Sequence, residues 1–228
     1  MRMPAARRWS AAIGTLILLI LGLFMAAVAL AVVIAGERAL SLFIGFIAAL
    51  IFFLVQVTGR EWRALWGWKI VVEPDVLNLK LPAARSLTHR PGSFHGRLPV
   101  ASVVGIDHRL EAYRSLGMAN MQRSFTLRLR DGRRILLGED RGLGSGMATT
   151  FIGECASLIS ERYGLPLRDL GMAEGRGGVL SLVGAAAPAW DAPALDDDAR
   201  VRLWRRASAT GRLVGAVVLI VLILQAVF

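Results

Sequence analysis

Cysteine is almost absent from the sequence, with Cys155 as the single example in 228 residues. One thiol forms no internal disulfide and builds no multi-cysteine metal site, so a disulfide scaffold and a cysteine-based metal fold are excluded. Charged residues are also scarce, at 19% against an average of about a quarter. The apolar share of 55% excludes an intrinsically disordered chain.

Lysine is the second scarcity, because Lys69 and Lys80 stand against 25 arginines. The formal net charge is +10. A basic excess of this kind indicates either nucleic acid or an anionic membrane surface as a partner, and the positions of the arginines decide between them.

The apolar residues are concentrated in three runs. The first, residues 11–35, is uncharged and 25 residues long, whereas a transmembrane helix needs about 20 residues. A secretory signal peptide is the alternative, but its apolar core would be about 7–15 residues. The second run, 39–57, follows after the neutral turn Gly36–Arg38. Residues 1–60 are therefore predicted to form a transmembrane hairpin.

Small residues recur every four positions in both helices of this predicted hairpin. Such spacing lets two helices approach closely, although alanine as a generic filler explains it equally well. The candidate helix-packing residues are Ala27, Ala31, Ser41, Gly45 and Ala49.

Tryptophan and arginine flank the apolar runs, as is typical of membrane interfaces. The third run closes a basic segment at 199–228 and predicts a helix at about 207–228. Basic flanks and a neutral turn predict that the N-terminus and the central domain lie on the cytoplasmic side of the membrane and the C-terminus on the opposite side. The membrane is expected to be a bacterial inner membrane. The predicted interface anchors are Trp9, Trp62, Arg63, Trp66, Trp204, Arg205 and Arg206.

Residues 68–170 carry both signs of charge and predict a β-rich domain. Strands are expected at 68–73, 76–81 and 98–113, with a loop at 87–97. Asp131-Gly132 between alternating apolar runs is a strong hairpin signal. A two-residue loop would pair Leu129 with Arg134. A three-residue loop pairs Leu127 with Ile135 and Phe125 with Leu137, and is preferred because it keeps apolar partners on one face.

An amphipathic helix is predicted from Met147 to Tyr163. Residues 171–198, rich in Gly, Ala, Pro and Asp, predict a flexible linker. The acidic triplet 196–198 suits the start of a following helix.

A search for chemistry finds no catalytic, cofactor or metal set. His89 and His95 lie six apart in a loop, where a solvated position is favoured over a metal site. Asp107 and His108 are adjacent in a strand and point to opposite faces. Cys155 lies on the apolar stripe of the helix, as expected of a packed thiol. The glycine-rich segment 142–146 lacks a P-loop ending, and favours a strand-to-helix joint over a phosphate site.

Three segments resemble bacterial pleckstrin-homology-like domains of small membrane proteins: 98–106, 127–137 and the helix from Cys155 to Pro166. The resemblance covers residues 68–165. It implies a curved antiparallel sheet or barrel of roughly seven strands, capped by one C-terminal helix, often beside a transmembrane hairpin. It carries no catalytic residue, and one related group assists assembly of photosynthetic complexes. The expected fold class is membrane α plus a β-rich soluble domain.

A basic face is expected on the hairpin around Asp131. Fifteen basic and ten acidic residues fall within 68–170, too weak an excess, without stacking aromatics, for a nucleic-acid binder. The favoured hypothesis is a non-enzymatic scaffold or assembly factor for a membrane-protein partner. A sensor of anionic phospholipid and an unrecognised membrane enzyme are the alternatives. The candidate contact residues are Arg123, Arg128, Arg130, Arg133, Arg134 and Arg141.

Overall fold

The computed structural model describes residues 1–86, 88–115, 118–143, 146–147, 150–175, 187–203 and 205. The predicted third apolar helix at 207–228 and the predicted anchors Trp204 and Arg206 lie outside the described residues.

Two long helices begin the chain, α1 (Ala5–Ile34) and α2 (Arg38–Gly67). The turn between them contains Gly36 at a φ of 88°, a conformation that favours glycine. Both helices are long and apolar enough to cross a membrane. At about 1.5 Å per residue each extends about 45 Å, which is longer than a hydrocarbon core of about 30 Å. We call the pair the helical hairpin, and residues 1–10 with 58–68 its base.

The two helices meet through a different set of small residues from the predicted one. Gly22 and Ala48 are buried, and a Cβ at Gly22 would lie 3.2 Å from Ile51 Cγ2. The Ser41 hydroxyl donates to the Ala29 carbonyl at 3.2 Å. Of the predicted packing residues, Ser41 is therefore at the contact, Gly45 is half-buried, and Ala27, Ala31 and Ala49 are exposed on the outside of the hairpin.

Eight strands follow among the described residues, in two sheets. The first sheet is antiparallel, with β1 (Lys69–Val72), β2 (Val76–Leu81) and β3 (Phe94–Pro99) in sequence order. The second has the order β7-β6-β5-β4-β8. Its strands are β4 (Val103–Ser115), β5 (Met118–Leu129), β6 (Arg134–Leu143), β7 (Gly146–Met147) and β8 (Leu167–Glu174).

The second sheet departs from the expected all-antiparallel arrangement, because β8 runs parallel to β4. β8 also extends to Glu174, across the first residues of the predicted flexible linker. β3 starts at Phe94, inside the predicted loop. The acidic triplet is confirmed as a helix start, since residues 197–203 are helical.

The β5–β6 turn has the predicted three-residue loop, with Gly132 at a φ of 83°. Leu127 pairs with Ile135 as expected, but Phe125 pairs with Gly138 instead of Leu137. A bulge between Phe125 and Thr126 causes the change, because the extra residue on one strand shifts every later pair.

Helix α3 (Phe151–Tyr163) ends at the predicted residue, and Gly164 follows it at a φ of 62°, a left-handed cap that favours glycine. It packs on one face of the five-stranded sheet, and the three-stranded sheet completes the same apolar core. Buried members of that core include Ile70, Leu77, Leu79, Ile106, Leu127, Leu137, Ile152, Cys155 and Ile159.

The opposite face of β4, β5 and β6 is polar, and two segments cover it. One is the covering loop, residues 82–93, of which Leu87 is not described. The other is residues 187–195, which we call the strap. Buried polar side chains of this face include Asp107, Arg109, Glu111, Gln122, Ser124, Thr126 and Glu139.

Candidate functional site

The base of the helical hairpin is built into the β-rich domain. Arg2 bridges Lys69 in antiparallel fashion, and the Ile70 amide donates to the Met1 carbonyl at 3.0 Å. Met3 is 3% exposed and belongs to the apolar core. Residues 1–3 therefore extend the edge of β1, so the chain enters the domain once before α1 and again after α2.

Trp68 provides a second connection, directly after α2. Its indole N–H donates to the Leu137 carbonyl at 2.9 Å, and its ring meets Phe151 edge-on with centroids 5.6 Å apart. The side chain is 1% exposed. A fully buried indole with its one donor satisfied fixes the end of α2 against β6 and α3.

An ionic cluster provides the third connection. Arg141 on β6 lies 2.6 Å from the Glu61 carboxylate on α2 and 3.1 Å from that of Glu139. Arg7 on α1 donates to the Glu139 carbonyl at 3.3 Å and lies 3.9 Å from Asp140. Both helices of the hairpin therefore form ionic contacts with one short segment of β6. We call these five residues the junction cluster.

Asp140 also connects the junction cluster to α3. Its two carboxylate oxygens accept the amides of Ile152 and Gly153 at 3.1 and 2.7 Å. A carboxylate is stabilised at a helix start, where amides are unsatisfied and the dipole is positive. Burial lowers the pKa of Arg141, but the Glu139 and Glu61 carboxylates outweigh burial and hold that pKa above its ordinary value.

A buried polar cluster lies beneath the covering loop and the strap. The Tyr113 hydroxyl donates to Glu111 Oε2 at 2.8 Å, and His89 Nε2 lies 3.3 Å from the same oxygen. Ser124 donates to it at 3.3 Å. Ser86 connects this region to the junction cluster by donating to Glu139 Oε2 at 2.5 Å. Polar contacts thus extend from the hairpin base across the sheet.

Burial shifts the pKa values of the titratable groups in this cluster. Burial raises the pKa of Glu111, although the Tyr113 hydroxyl, the Ala189 amide and the Ser124 hydroxyl act against the rise. Burial also raises the pKa of Tyr113. Burial lowers the pKa of His89, opposed by Glu139. Glu111, His89 and Tyr113 are 0%, 1% and 4% exposed, so the set is closed to a substrate and favours a neutral imidazole.

The strap is held by two neighbouring polar side chains of β4. Arg109 donates to the carbonyls of Ala189, Ala192 (2.7 Å) and Leu170 (3.0 Å). Glu111 Oε1 accepts the Ala189 amide at 3.2 Å. Residues 187–195, predicted as part of a flexible linker, are therefore docked on the sheet. That prediction failed because the partners lie about 80 residues away in sequence.

The predicted basic face is mostly neutralised within the chain. Arg128 lies 3.6 Å from Asp107, Arg134 lies 3.0 Å from Asp191, and Arg133 lies 2.6 Å from Asp131. Arg141 belongs to the junction cluster, and Arg130 donates to the Ala101 carbonyl at 2.6 Å. Arg123 lies on the opposite face, between two grooves beside α3 and beside residues 197–201. The six arginines therefore do not form one surface.

Four of the predicted interface anchors, Trp9, Trp62, Arg63 and Trp66, lie in the hairpin base. Trp9 and Trp66 meet edge-on at 5.9 Å, and the Arg8 guanidinium lies 4.5 Å from the Trp66 ring centroid. Trp62 is 37% exposed, and Arg63 donates to the Gly59 carbonyl at 3.3 Å. Arg205 is exposed and helical.

The remaining sequence candidates have definite environments. His89 is buried, contrary to the expected solvated loop, whereas His95 is exposed on β3. Asp107 and His108 do point apart: Asp107 is fully buried with Arg168 at 2.9 Å, and His108 lies 3.5 Å from Asp169. Cys155 is packed in the core, and burial raises the pKa of its thiol to about 12.

Within the part of the chain that the structure describes, no group of three or more His, Cys, Asp and Glu side chains is arranged to hold a metal ion. Residues 144–145 of the glycine-rich segment lie outside the described residues, so its predicted role as a joint stays a prediction.

Comparison with known proteins identifies no relative: no family model, no curated protein and no solved structure matches the chain. The pleckstrin-homology-like resemblance therefore stays a sequence-based expectation.

Proposed function

We propose that this protein is a non-enzymatic integral membrane scaffold or assembly factor, which presents its β-rich domain to a membrane-protein partner in a fixed orientation. The junction supports this proposal most directly. Residues 1–3, Trp68 and the junction cluster attach both helices to the domain. A domain that only needed tethering to a membrane would require none of these contacts.

The proposed location is the cytoplasmic face of a bacterial inner membrane. Arg2, Arg7 and Arg8 precede the apolar run 11–35, and Arg60 and Arg63 lie near the end of α2. The turn between the helices is neutral overall. Five arginines at the base against one, Arg38, at the turn favour a cytoplasmic base. In this proposal residues 207–228 form a third span, and the C-terminus lies on the opposite side.

Anionic-lipid sensing through the hairpin arginines is less well supported. Arg128, Arg133 and Arg134 already lie beside carboxylates of their own chain. The distance of these arginines from the hairpin base also argues against lipid contact. Arg134 is seven residues from Arg141 along β6, or about 23 Å at about 3.3 Å per residue. The β5–β6 turn therefore lies far from Glu61 and the hairpin base.

An enzyme is also less well supported, because the best set of titratable side chains is sealed. Tyr113 and Glu111 lie beneath the two covering segments and contact them through His89 of the covering loop and the Ala189 amide of the strap. This placement favours a role in holding the covering loop and the strap.

The test is chemical cross-linking in native membranes, followed by purification and protein identification. The double variant Glu61→Gln/Arg141→Gln removes both charges of the Glu61–Arg141 pair and, with them, the Arg141–Glu139 contact. Arg133→Gln is the matched control, since its only described ion pair is with exposed Asp131.

The proposal expects one membrane protein in stoichiometric yield with the wild type and with Arg133→Gln. It expects at least a fivefold lower yield with the double variant. Recovery of lipid alone, lost on changing Arg128, Arg133 and Arg134 to Glu, would contradict the scaffold and support the lipid sensor.

A further inference from the structure

A cavity of about 270 Å³ lies between the covering loop and the strap, at the end of the polar face nearest the β5–β6 turn. This is close to the lower end of the about 300–1,000 Å³ usual for small-molecule sites. Two arginines, Arg85 and Arg134, line it together with Thr126. Phe94 and Trp190 form apolar walls. No acidic side chain is among the described residues that line it.

Arg85 brings a buried positive charge to this cavity, and no carboxylate among the described residues pairs with it. The side chain is 5% exposed. Its Nε donates to the Leu136 carbonyl at 2.7 Å, and its Nη1 donates to the carbonyls of Pro82 and Gly92 at 2.7 and 2.9 Å. Its Nη2 has no hydrogen-bond partner among the described residues. Burial lowers the pKa of Arg85 to about 10, so the guanidinium stays charged at neutral pH.

Arg134 brings a second donor that is not used. Its Nη1 donates to Asp191 at 3.0 Å, but that carboxylate is 88% exposed and lies at the rim. Its Nε is buried and has no partner within the described part of the chain. The guanidinium lies 6.0 Å from the Trp190 ring centroid, a distance at which the ring face attracts a cation.

Thr126 adds a hydroxyl to the same lining. It is fully buried, and its one hydrogen bond among the described residues is 3.4 Å long, to the Leu127 carbonyl. A hydrogen bond of this length is weak, because hydroxyl hydrogen bonds are usually about 2.7–2.8 Å long. Arg85 Nη2, Arg134 Nε and the Thr126 hydroxyl are thus three underused donors on residues that line one cavity.

We propose that this cavity binds a small organic anion, whose carboxylate or phosphate group lies between Arg85 and Arg134 and whose compact apolar body packs against Phe94 and Trp190. A buried charge is costly unless it is paired, and an arginine fork suits either oxyanion. A role in ordering the covering loop explains the hydrogen bonds of Arg85 Nε and Nη1. It does not account for the second arginine, the absent acidic lining or the aromatic walls.

The site is complete only when the strap is docked on the sheet. Trp190 lies in the segment that Arg109 and Glu111 hold. A bound anion would contact the sheet, the covering loop and the strap together, and so would stabilise the closed arrangement. This proposal does not depend on the scaffold function.

Isothermal titration calorimetry of the full chain in neutral detergent tests the site, in a buffer without phosphate or carboxylate. The probes are benzoate, phenyl phosphate, inorganic phosphate and the neutral isostere benzyl alcohol. Arg134→Gln is the main variant, because the described ion pair of Arg134 is with the 88% exposed Asp191, whereas Arg85 is buried and bonds to backbone carbonyls. Arg133→Gln is the control, one position away and outside the cavity lining.

We expect saturable binding of benzoate or phenyl phosphate, with a dissociation constant at least tenfold higher in Arg134→Gln and changed less than twofold in Arg133→Gln. Preference for benzoate identifies a carboxylate ligand, and preference for phenyl phosphate a phosphate ester; both support the site. Equal binding of benzyl alcohol would overturn the anion assignment. Inorganic phosphate binding as tightly as phenyl phosphate would overturn the apolar body. No saturable binding, or undiminished binding by Arg134→Gln, would overturn the proposal.

Discussion

The two faces of the five-stranded sheet are buried by opposite means. One face packs Ile106, Leu127 and Leu137 against α3 and the three-stranded sheet. The other buries Asp107, Glu111 and Gln122 beneath the covering loop and the strap. Both groups are at most 1% exposed. The same strands therefore support an apolar core and a polar one.

The two cores differ in which contacts the covering elements must make. Apolar burial is non-directional and follows area, so α3 needs only an amphipathic face. Buried polar groups need a partner for each donor and acceptor. The covering loop and strap supply such partners through hydroxyls, carbonyls and amides. The polar core thereby selects one position for two segments that lack regular structure.

The largest expected effect is on the apolar face. Leu127→Ala removes a fully buried side chain from the centre of the core. We expect a loss of about 2–5 kcal/mol in the free energy of unfolding, from lost burial and the cavity left behind. Denaturant unfolding of the full chain in detergent measures it. A loss that varied strongly between pH 6 and 8 would contradict the apolar origin.

The next effect is on the strap. Arg109→Gln leaves the carbonyls of Ala189, Ala192 and Leu170 without their donor. Unsatisfied buried groups cost about 1–3 kcal/mol. Hydrogen exchange should accelerate in residues 187–195 while α3 keeps its protection. Equal acceleration in both segments would show that the two faces do not open separately.

A smaller, pH-dependent effect is expected at His89. Burial lowers its pKa in the folded protein, so the unfolded chain takes up the proton first as pH falls. The stability from neutral His89 is complete above its unfolded pKa of about 6.5, and is lost as pH falls through the lower folded value. Glu139 opposes this shift, and neighbouring Glu111, whose pKa is raised, titrates in the opposite sense.

The comparison that isolates His89 is with His89→Gln. The stability advantage of the wild type over the variant should shrink as pH falls from 7.5 to 5. Thermal unfolding across that range measures the advantage. A constant difference would mean that His89 binds its proton equally in both states.

The smallest effect is expected outside both cores. Arg133→Gln removes one side of an ion pair whose side chains are 76% and 48% exposed. Such pairs are screened by solvent and contribute little to stability, so the unfolding midpoint should hardly move. A large loss would mean that the β5–β6 turn has a partner beyond Asp131.

Local patterns predicted the parts of the fold that depend on near neighbours. The helical hairpin follows from its apolar runs, and the β5–β6 loop follows from Asp131-Gly132 and the apolar alternation. The bulge that pairs Phe125 with Gly138 was missed because it is a local departure from that alternation. β8 was missed because its partner β4 lies about 60 residues earlier in the chain.

The polar core could not be predicted from its strands. Alternating polar residues on β4 and β5 have the same pattern as a solvent-facing side. Nothing local reveals that the covering loop and strap lie above them. For the junction cluster, acidic and basic residues at 139–141 and an isolated Glu61 beside an apolar run were visible signals. Their pairing required the tertiary structure.

The most direct test of the central claim is the distance between the helical hairpin and the β-rich domain in the full chain. Spin labels at Arg63→Cys and Arg133→Cys, both outside the cores, report that distance by double electron–electron resonance. The native Cys155 is buried, so the label reacts with the two introduced cysteines. The fixed-orientation account predicts one narrow distance distribution, which broadens when Glu61→Gln and Arg141→Gln are added. A broad distribution already present without those two changes would contradict it.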